Sequence, residues 1–219
     1  MKIKIDPELL KVYPDIHLGC LSYEAKVVEE NPKMWEYLNA KTVPELMAVL
    51  QEKELAQIEG IRSSREAYKA FGRSPSKYRV SSESLIRRLR QGHELYHVNS
   101  VVDVNNLVSI ETALSLGSYD VEKVEGDIVL TVGKEGDGYE GIGKSFINME
   151  KMLILKDDKG PFGSPTSDSH RAMIKEESQK IVTIIYCFSD RMNLDEILKS
   201  TKEYFETYAG AKEVETWIV

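Results

Sequence analysis

Charge and isoleucine alternate from Lys2 to Ile5, the period of a half-buried strand. Ile16 to Val28 reads as a longer strand, with Tyr23, Ala25 and Val27 on one face. Thr42-Val-Pro-Glu45 has the spacing of a capping box, and Pro44 fits a first helical turn. Leu46, Val49 and Leu50 then share a helical face, and Gly60 is the predicted stop. A second helix is predicted over Ser63 to Phe71, closed by Gly72, and Pro75 and Ser76 break the chain. A third runs from Ser82 to Gln91 with Leu85, Ile86 and Leu89 inward and Gly92 at its end. From Val98 to Leu114 the apolar spacing fits a helix starting at Asn99. Its valines, asparagines and aspartate are poor helix formers that compete with the backbone for hydrogen bonds, so tertiary contacts are expected to hold it.

The pattern then turns to strands. Asp127 to Val132, Met152 to Lys156 and Ile181 to Phe188 are predicted strands, the last nearly all apolar and therefore central in its sheet. Glycines at 133, 136, 138, 141 and 143 mark a flexible loop. Gly160 to Arg171 (GPFGSPTSDSHR) reads as a long irregular loop, a length that is uncommon without a function. Asn193 caps a last helix to Tyr208, Gly210 stops it, and Glu213 to Val219 closes the chain as a strand. No repeat, low-complexity tract or linker is visible, so one domain over residues 1–219 is expected.

Composition adds bounds. With 30% charged and 42% hydrophobic residues over 219 positions, the chain reads as an ordinary globular protein with a real core. No apolar run approaches the ~20 residues of a membrane span. The first residues carry no apolar signal segment, so a cytoplasmic protein is expected. Cys20 and Cys187 lack metal or redox spacing. The net charge is −7, yet nine basic side chains against two acidic ones lie between Arg62 and His93. Such a basic island on an acidic body holds phosphates locally, and Arg73, Lys77, Arg79, Arg87 and Arg88 are the candidate RNA contacts.

The string His93-Glu94-Leu95-Tyr96-His97 invites a zinc-protease reading, which needs both histidines on one helix. Gly92 ends the preceding helix and Asn99 begins the next, so an extended link is expected between them. No metal and no cofactor is expected.

Three ordered segments carry a family resemblance: Tyr78 to Arg88 (YRVSSESLIRR), Val98 to Asn106 (VNSVVDVNN) and Leu116 to Asp120 (LGSYD). Gly126 to Val129, Tyr139 to Gly143 and Thr166 to Arg171 follow in order. Together, over roughly residues 60–190, they resemble the B3/B4 domain, the editing module of the bacterial phenylalanyl-tRNA synthetase beta subunit, in a free-standing form. No class II synthetase motif is visible, so the chain is not expected to charge tRNA itself. The resemblance implies an α+β fold with a β-barrel-like core and helices packed outside. It also implies tRNA, or an aminoacyl-tRNA acceptor end, as partner, without membrane or DNA. The implied activity is hydrolysis of a mischarged aminoacyl ester in trans. The alternative is a non-catalytic module for a small amino-acid-like ligand or a protein partner. Where the synthetase has a histidine three residues before the aspartate of the third segment, this chain has Gly117. Its apolar strand also lacks the synthetase's glutamate.

These readings place a pocket between Asn99–Asn106 and the Ser164–Arg171 loop. His170 is the candidate base, since a neutral imidazole activates water. Asn99, Asp103, Asn106, Asp120, Ser167, Asp168 and Arg171 are the candidate substrate contacts. Asp168 and Arg171 are expected to pair, leaving His170 to face the cavity.

Overall fold

The computed structural model describes residues 1–219. A strand at the centre organises it: β9 (Lys180–Cys187) is flanked by β2 (His17–Glu24) and β3 (Ser115–Asp120), and β10 (Lys212–Ile218) lies outside β2. All pairings in this sheet are antiparallel. Every residue of β9 after Lys180 is buried, as its apolar run predicts for a strand covered on both faces. Side chains alternate across a strand. Leu21, Tyr23, Ile181, Ile185 and Cys187 therefore join the core under the helices, while Leu18, Cys20, Val182, Ile184 and Tyr186 join a second core.

That second core is shared with another four-stranded sheet: β1 (Ile3–Ile5), β4 (Ile128–Val132), β7 (Leu153–Asp157) and β8 (Gly160–Gly163), in that order. Ile128, Leu130, Leu153, Leu155 and Phe162 face the central sheet. A two-stranded ribbon, β5 (Gly138–Glu140) and β6 (Phe146–Asn148), stands beside them. The implied barrel is not formed. Each four-stranded sheet is open, with β3 and β10 at the edges of one and β1 and β8 at the edges of the other. The fold is a mixed α+β arrangement of helices over two packed sheets.

The helical layer consists of α2 (Pro32–Tyr37), α3 (Val43–Glu52), α4 (Glu59–Ala70), α5 (Ser81–Arg90), α6 (Ser100–Thr112) and α7 (Leu194–Tyr208). A short α1 (Pro7–Val12) follows β1. None is long and apolar enough to cross a membrane. The expected capping box at Thr42 is not made. A π-helical turn over Leu38–Thr42 carries α2 directly into α3, so Thr42 is itself helical and no free helix end needs capping there. Its hydroxyl instead donates to Glu111 at 2.9 Å. Asn31 is the true cap of this run, accepting from the amides of Lys33 and Met34. Gly60 does not stop a helix either. It lies inside α4, where a Cβ would come within 2.6 Å of the Ala113 carbonyl oxygen. Gly72, Gly92 and Gly210 follow α4, α5 and α7 with positive φ, as the sequence predicts.

Candidate functional site

The first turn of α6 is fastened by side chains that propensity alone disfavours. Asn99 Oδ1 accepts from the amides of Val101 and Val102. Fully buried Asp103 accepts from the Val98 amide at 3.0 Å and from Trp35 Nε1 at 3.1 Å. Burial raises the Asp103 carboxyl above its ordinary range, although those donors and nearby His97 pull it down. One turn on, Asn105 Oδ1 accepts from Ser118, whose hydroxyl also pairs with Thr183 at 2.6 Å. Thr183 reaches Tyr23 at 2.9 Å. These bonds lock α6 to β3 and β9.

A cavity of about 750 Å³ opens between these elements. Ser81 and Leu85 of α5, Val98, Asn99, and Val102, Asn105, Asn106 and Ser109 of α6 form one side. Leu116 and Ser118 of β3 form its floor. Ile142, Asp168 and the stretch Met173–Glu176 form the other side, with Val28 and Glu29 at the rim. The charged groups on this lining are Glu29, Asp168, Lys175 and Glu176, an acidic balance that favours a cation in the ligand. The Asn106 side chain makes no hydrogen bond within the protein, so its amide is available to a ligand.

Asp168 is the most constrained of these charged groups. Tyr119 donates to its Oδ1 at 2.7 Å, and the Ser164 amide donates to the same oxygen at 3.2 Å. No protein donor engages Oδ2. Burial lifts its pKa to about 6, against the pull of the Tyr119 and Ser164 donors. Tyr119 in turn lies 3.0 Å from the Tyr186 hydroxyl, and burial pushes both phenols far above the ordinary tyrosine range.

The structure thus brings Asn99, Asn106 and Asp168 to one cavity and leaves the other sequence candidates outside its lining. Asp103 is committed to α6 and Trp35. Asp120 is buried, caps the turn after β3 through the Glu122 amide, and accepts from Ser178 at 2.7 Å. Ser167 belongs to the frame of its loop: its carbonyl accepts from Tyr139 and Ser164, and its hydroxyl from Lys144. The expected Asp168–Arg171 pair does not exist. Arg171 makes a two-pronged pair with buried Asp157, both bonds at 2.9 Å, because its side chain turns towards β7 while Asp168 turns towards β3. His170 is exposed, tied by its backbone to Glu140, and does not face the cavity. Asn105, Ser118 and Tyr119 sit in a Gly/Ser-rich hexapeptide with no strand periodicity.

The basic island is partly self-neutralised. Buried Glu83 receives Arg65 through two bonds of 2.9 and 2.6 Å and Arg87 at 2.7 Å, with Arg79 at 4.0 Å. Arg87 is therefore a structural cation before it is a phosphate contact. Arg88 donates to the Glu94 carbonyl and lies 3.9 Å over the exposed Tyr96 ring. Arg73 and Lys77 flank Tyr78 and have no acidic partner. In the His93–His97 string no helix forms. His97 stacks on Trp35 at 3.8 Å and meets Glu30 at 2.8 Å, so the two histidines are not presented together.

A family model described as the B3/4 domain matches residues 63–205. No curated protein matches the chain. Among solved structures, an N-terminal fragment of the phenylalanyl-tRNA synthetase beta subunit from Pyrococcus horikoshii is similar at 10% identity and a TM-score of 0.48. The match covers 97% of this chain and 50% of that one. The chain spans about half the length of that fragment.

Proposed function

The chain belongs to the B3/4 domain family, and from that premise we propose that its cavity receives the aminoacylated end of a tRNA and releases the amino acid by ester hydrolysis. The observation that carries this reading is the cavity itself. Its volume falls in the range of sites that enclose a small ligand. Leu85, Val102, Leu116 and Ile174 offer apolar contact to a side chain. Asn106 and Asp168 present unpaired polar groups to the ester and the α-ammonium, and the acidic lining suits that cation. Arg73, Lys77 and Arg88 supply positive charge for the phosphates of the acceptor stem. Tyr78 and Tyr96, which lie against these cations, offer aromatic faces to unstacked bases.

One observation favours a second reading, a non-catalytic module for an amino-acid-like ligand. All four histidines lie off the cavity, and Gly117 stands where the related editing module has one. Titration with hydrolysis-resistant 3′-aminoacylamino-adenosines tests the binding step common to both. Saturable binding is expected, lost when Leu85→Trp fills the cavity. Absence of binding, or binding indifferent to Leu85→Trp, refutes the placement.

A further inference from the structure

We propose that Asp168 is the general base of this hydrolysis and that Tyr119, held in turn by Tyr186, is the residue that positions it. The inference rests on the ester-cleaving reading above and names the group that performs it. Three geometric facts carry it.

First, the two carboxylate oxygens are differentiated. Oδ1 is fixed by the Tyr119 hydroxyl and the Ser164 amide, whereas Oδ2 is left to a cavity roomy enough for water. A carboxylate fixed at one oxygen and open at the other is aimed. Second, the donors have only one consistent order. An ionised carboxylate only accepts, so Tyr119 gives it its single proton, and the Tyr119 oxygen then accepts from Tyr186. Third, the backbone is cleared for this arrangement from both sides. A Cβ on Gly117 would fall 2.1 Å from the Tyr119 hydroxyl oxygen, and one on Gly163 would fall 2.3 Å from it. The strand position that carries a histidine in the related editing module is here filled by the tip of Tyr119.

The chemistry balances without an added reagent. Asp168 Oδ2 takes a proton from water as the water oxygen bonds to the ester carbonyl carbon. The tetrahedral intermediate collapses with cleavage of the bond to the ribose oxygen, and Asp168 returns the proton to that leaving oxygen. Free amino acid and tRNA result, and the carboxylate is regenerated. The phenols around Asp168 come from several elements: Tyr119 from β3, Tyr186 from β9, Tyr139 from β5 and Tyr68 from α4. Of the other charges on the cavity, Glu29 and Glu176 are exposed and Lys175 is half-buried, so Asp168 titrates chiefly under burial and its two donors. Those influences place it at about 6, close to the working pH of a cell.

The test is single-turnover release of labelled amino acid from a panel of aminoacyl-tRNAs, measured across pH for the full chain. The parent rate is expected to fall as pH drops through about 6. Asp168→Asn is expected to slow release at pH 7 by about 100-fold or more with KM held within about two-fold, the loss typical of a missing base. Tyr119→Phe is expected to lower kcat by roughly ten-fold and to move the acid limb to higher pH, because the lost bond favoured the carboxylate. Full activity in Asp168→Asn overturns the assignment and leaves the ester-cleaving reading intact. A parent profile with no limb near pH 6 overturns it as well, and needs no variant to fold. No release by the parent from any tRNA overturns both.

Discussion

The Tyr119 hydroxyl donates a 2.7 Å hydrogen bond to Asp168 Oδ1, joining the edge of the central sheet to the loop that follows β8. Asp168 reaches the cavity from a loop, yet it is oriented by a fully buried strand residue and not by loop conformation. The same phenol explains why neighbouring positions are glycine, so the sequence of β3 and the site geometry are one arrangement.

Gly117→Ala is therefore expected to destabilise the protein by about 1–3 kcal/mol, the usual cost of overpacking a core. The added Cβ has no room beside the Tyr119 ring tip. Combining it with Tyr119→Phe is expected to recover part of the loss, because the nearest clash is with the hydroxyl oxygen and the ring carbon behind it remains close. Urea denaturation of the two single variants and the double variant checks the coupling. Strictly additive losses would show that position 117 does not press on Tyr119.

Asp168 also gives stability a pH signature. Its folded pKa of about 6 lies above the ordinary carboxylate value of 3.8, so the folded state holds the proton more tightly than the unfolded chain. This group's contribution to stability is full below about pH 4 and is lost as pH rises through 6, a difference of at most about 3 kcal/mol. Asp168→Asn is expected to be more stable than the parent at pH 8, and near parity with it at pH 4. Thermal melts at the two pH values provide the comparison. A variant less stable at pH 8 than at pH 4, relative to the parent, would contradict the buried-carboxyl assignment.

Glu83 acts in the opposite sense. Burial pushes its carboxyl up, but the Arg65 and Arg87 hydrogen bonds prevail and hold it below the usual range. A depressed carboxyl stabilises above its unfolded pKa and loses that contribution as pH falls through the folded one. Glu83→Gln is expected to cost about 2–3 kcal/mol at pH 7. That lies under the 3–5 kcal/mol typical of a broken buried pair, because both arginines keep some contact with water. The difference from the parent should shrink in acid, as chemical denaturation at pH 7 and pH 3.5 would show.

RNA affinity should be electrostatic and should follow the cations that lack internal partners. Reversing Arg73 and Lys77 to glutamate is expected to weaken tRNA binding at least ten-fold at low salt and to flatten its salt dependence. Reversing Lys199 and Lys202 on α7 should change it by less than about two-fold on the same electrostatic grounds. Arg87 is a poor probe, because its reversal would break the Glu83 cluster and report folding instead. Equal losses from both pairs in filter-binding titrations would show that the island is only a solvated face.

How much of this was legible in the sequence depends on how local the cause is. The uninterrupted apolar run of β9 announced a strand covered on both faces, and the glycines after α4, α5 and α7 announced their ends. The polar residues of α6 signalled tertiary anchoring, and Trp35, Val98 and Ser118 provide it. By contrast, β3 has no alternating pattern: Ser115, Gly117 and Ser118 are buried by pairing with β9 and by a tyrosine tip, causes that no local period encodes. The partners of Arg171 and Asp168 were misassigned because neighbouring side chains in a loop turned to different sheets. The charge run overstated the basic face, since a single buried glutamate 18 residues from Arg65 engages several arginines. His170 drew attention as an imidazole in the right loop, but only the fold shows which way it points.

The central claim, that the cavity takes an aminoacyl-tRNA end and cleaves its ester, is tested most directly by incubating the protein with tRNAs each charged with one labelled amino acid. At pH 7.5 the expected result is release from at least one of them at about 100-fold or more above the buffer rate, with that release abolished by Leu85→Trp. Decay of every aminoacyl-tRNA at the buffer rate would contradict the claim.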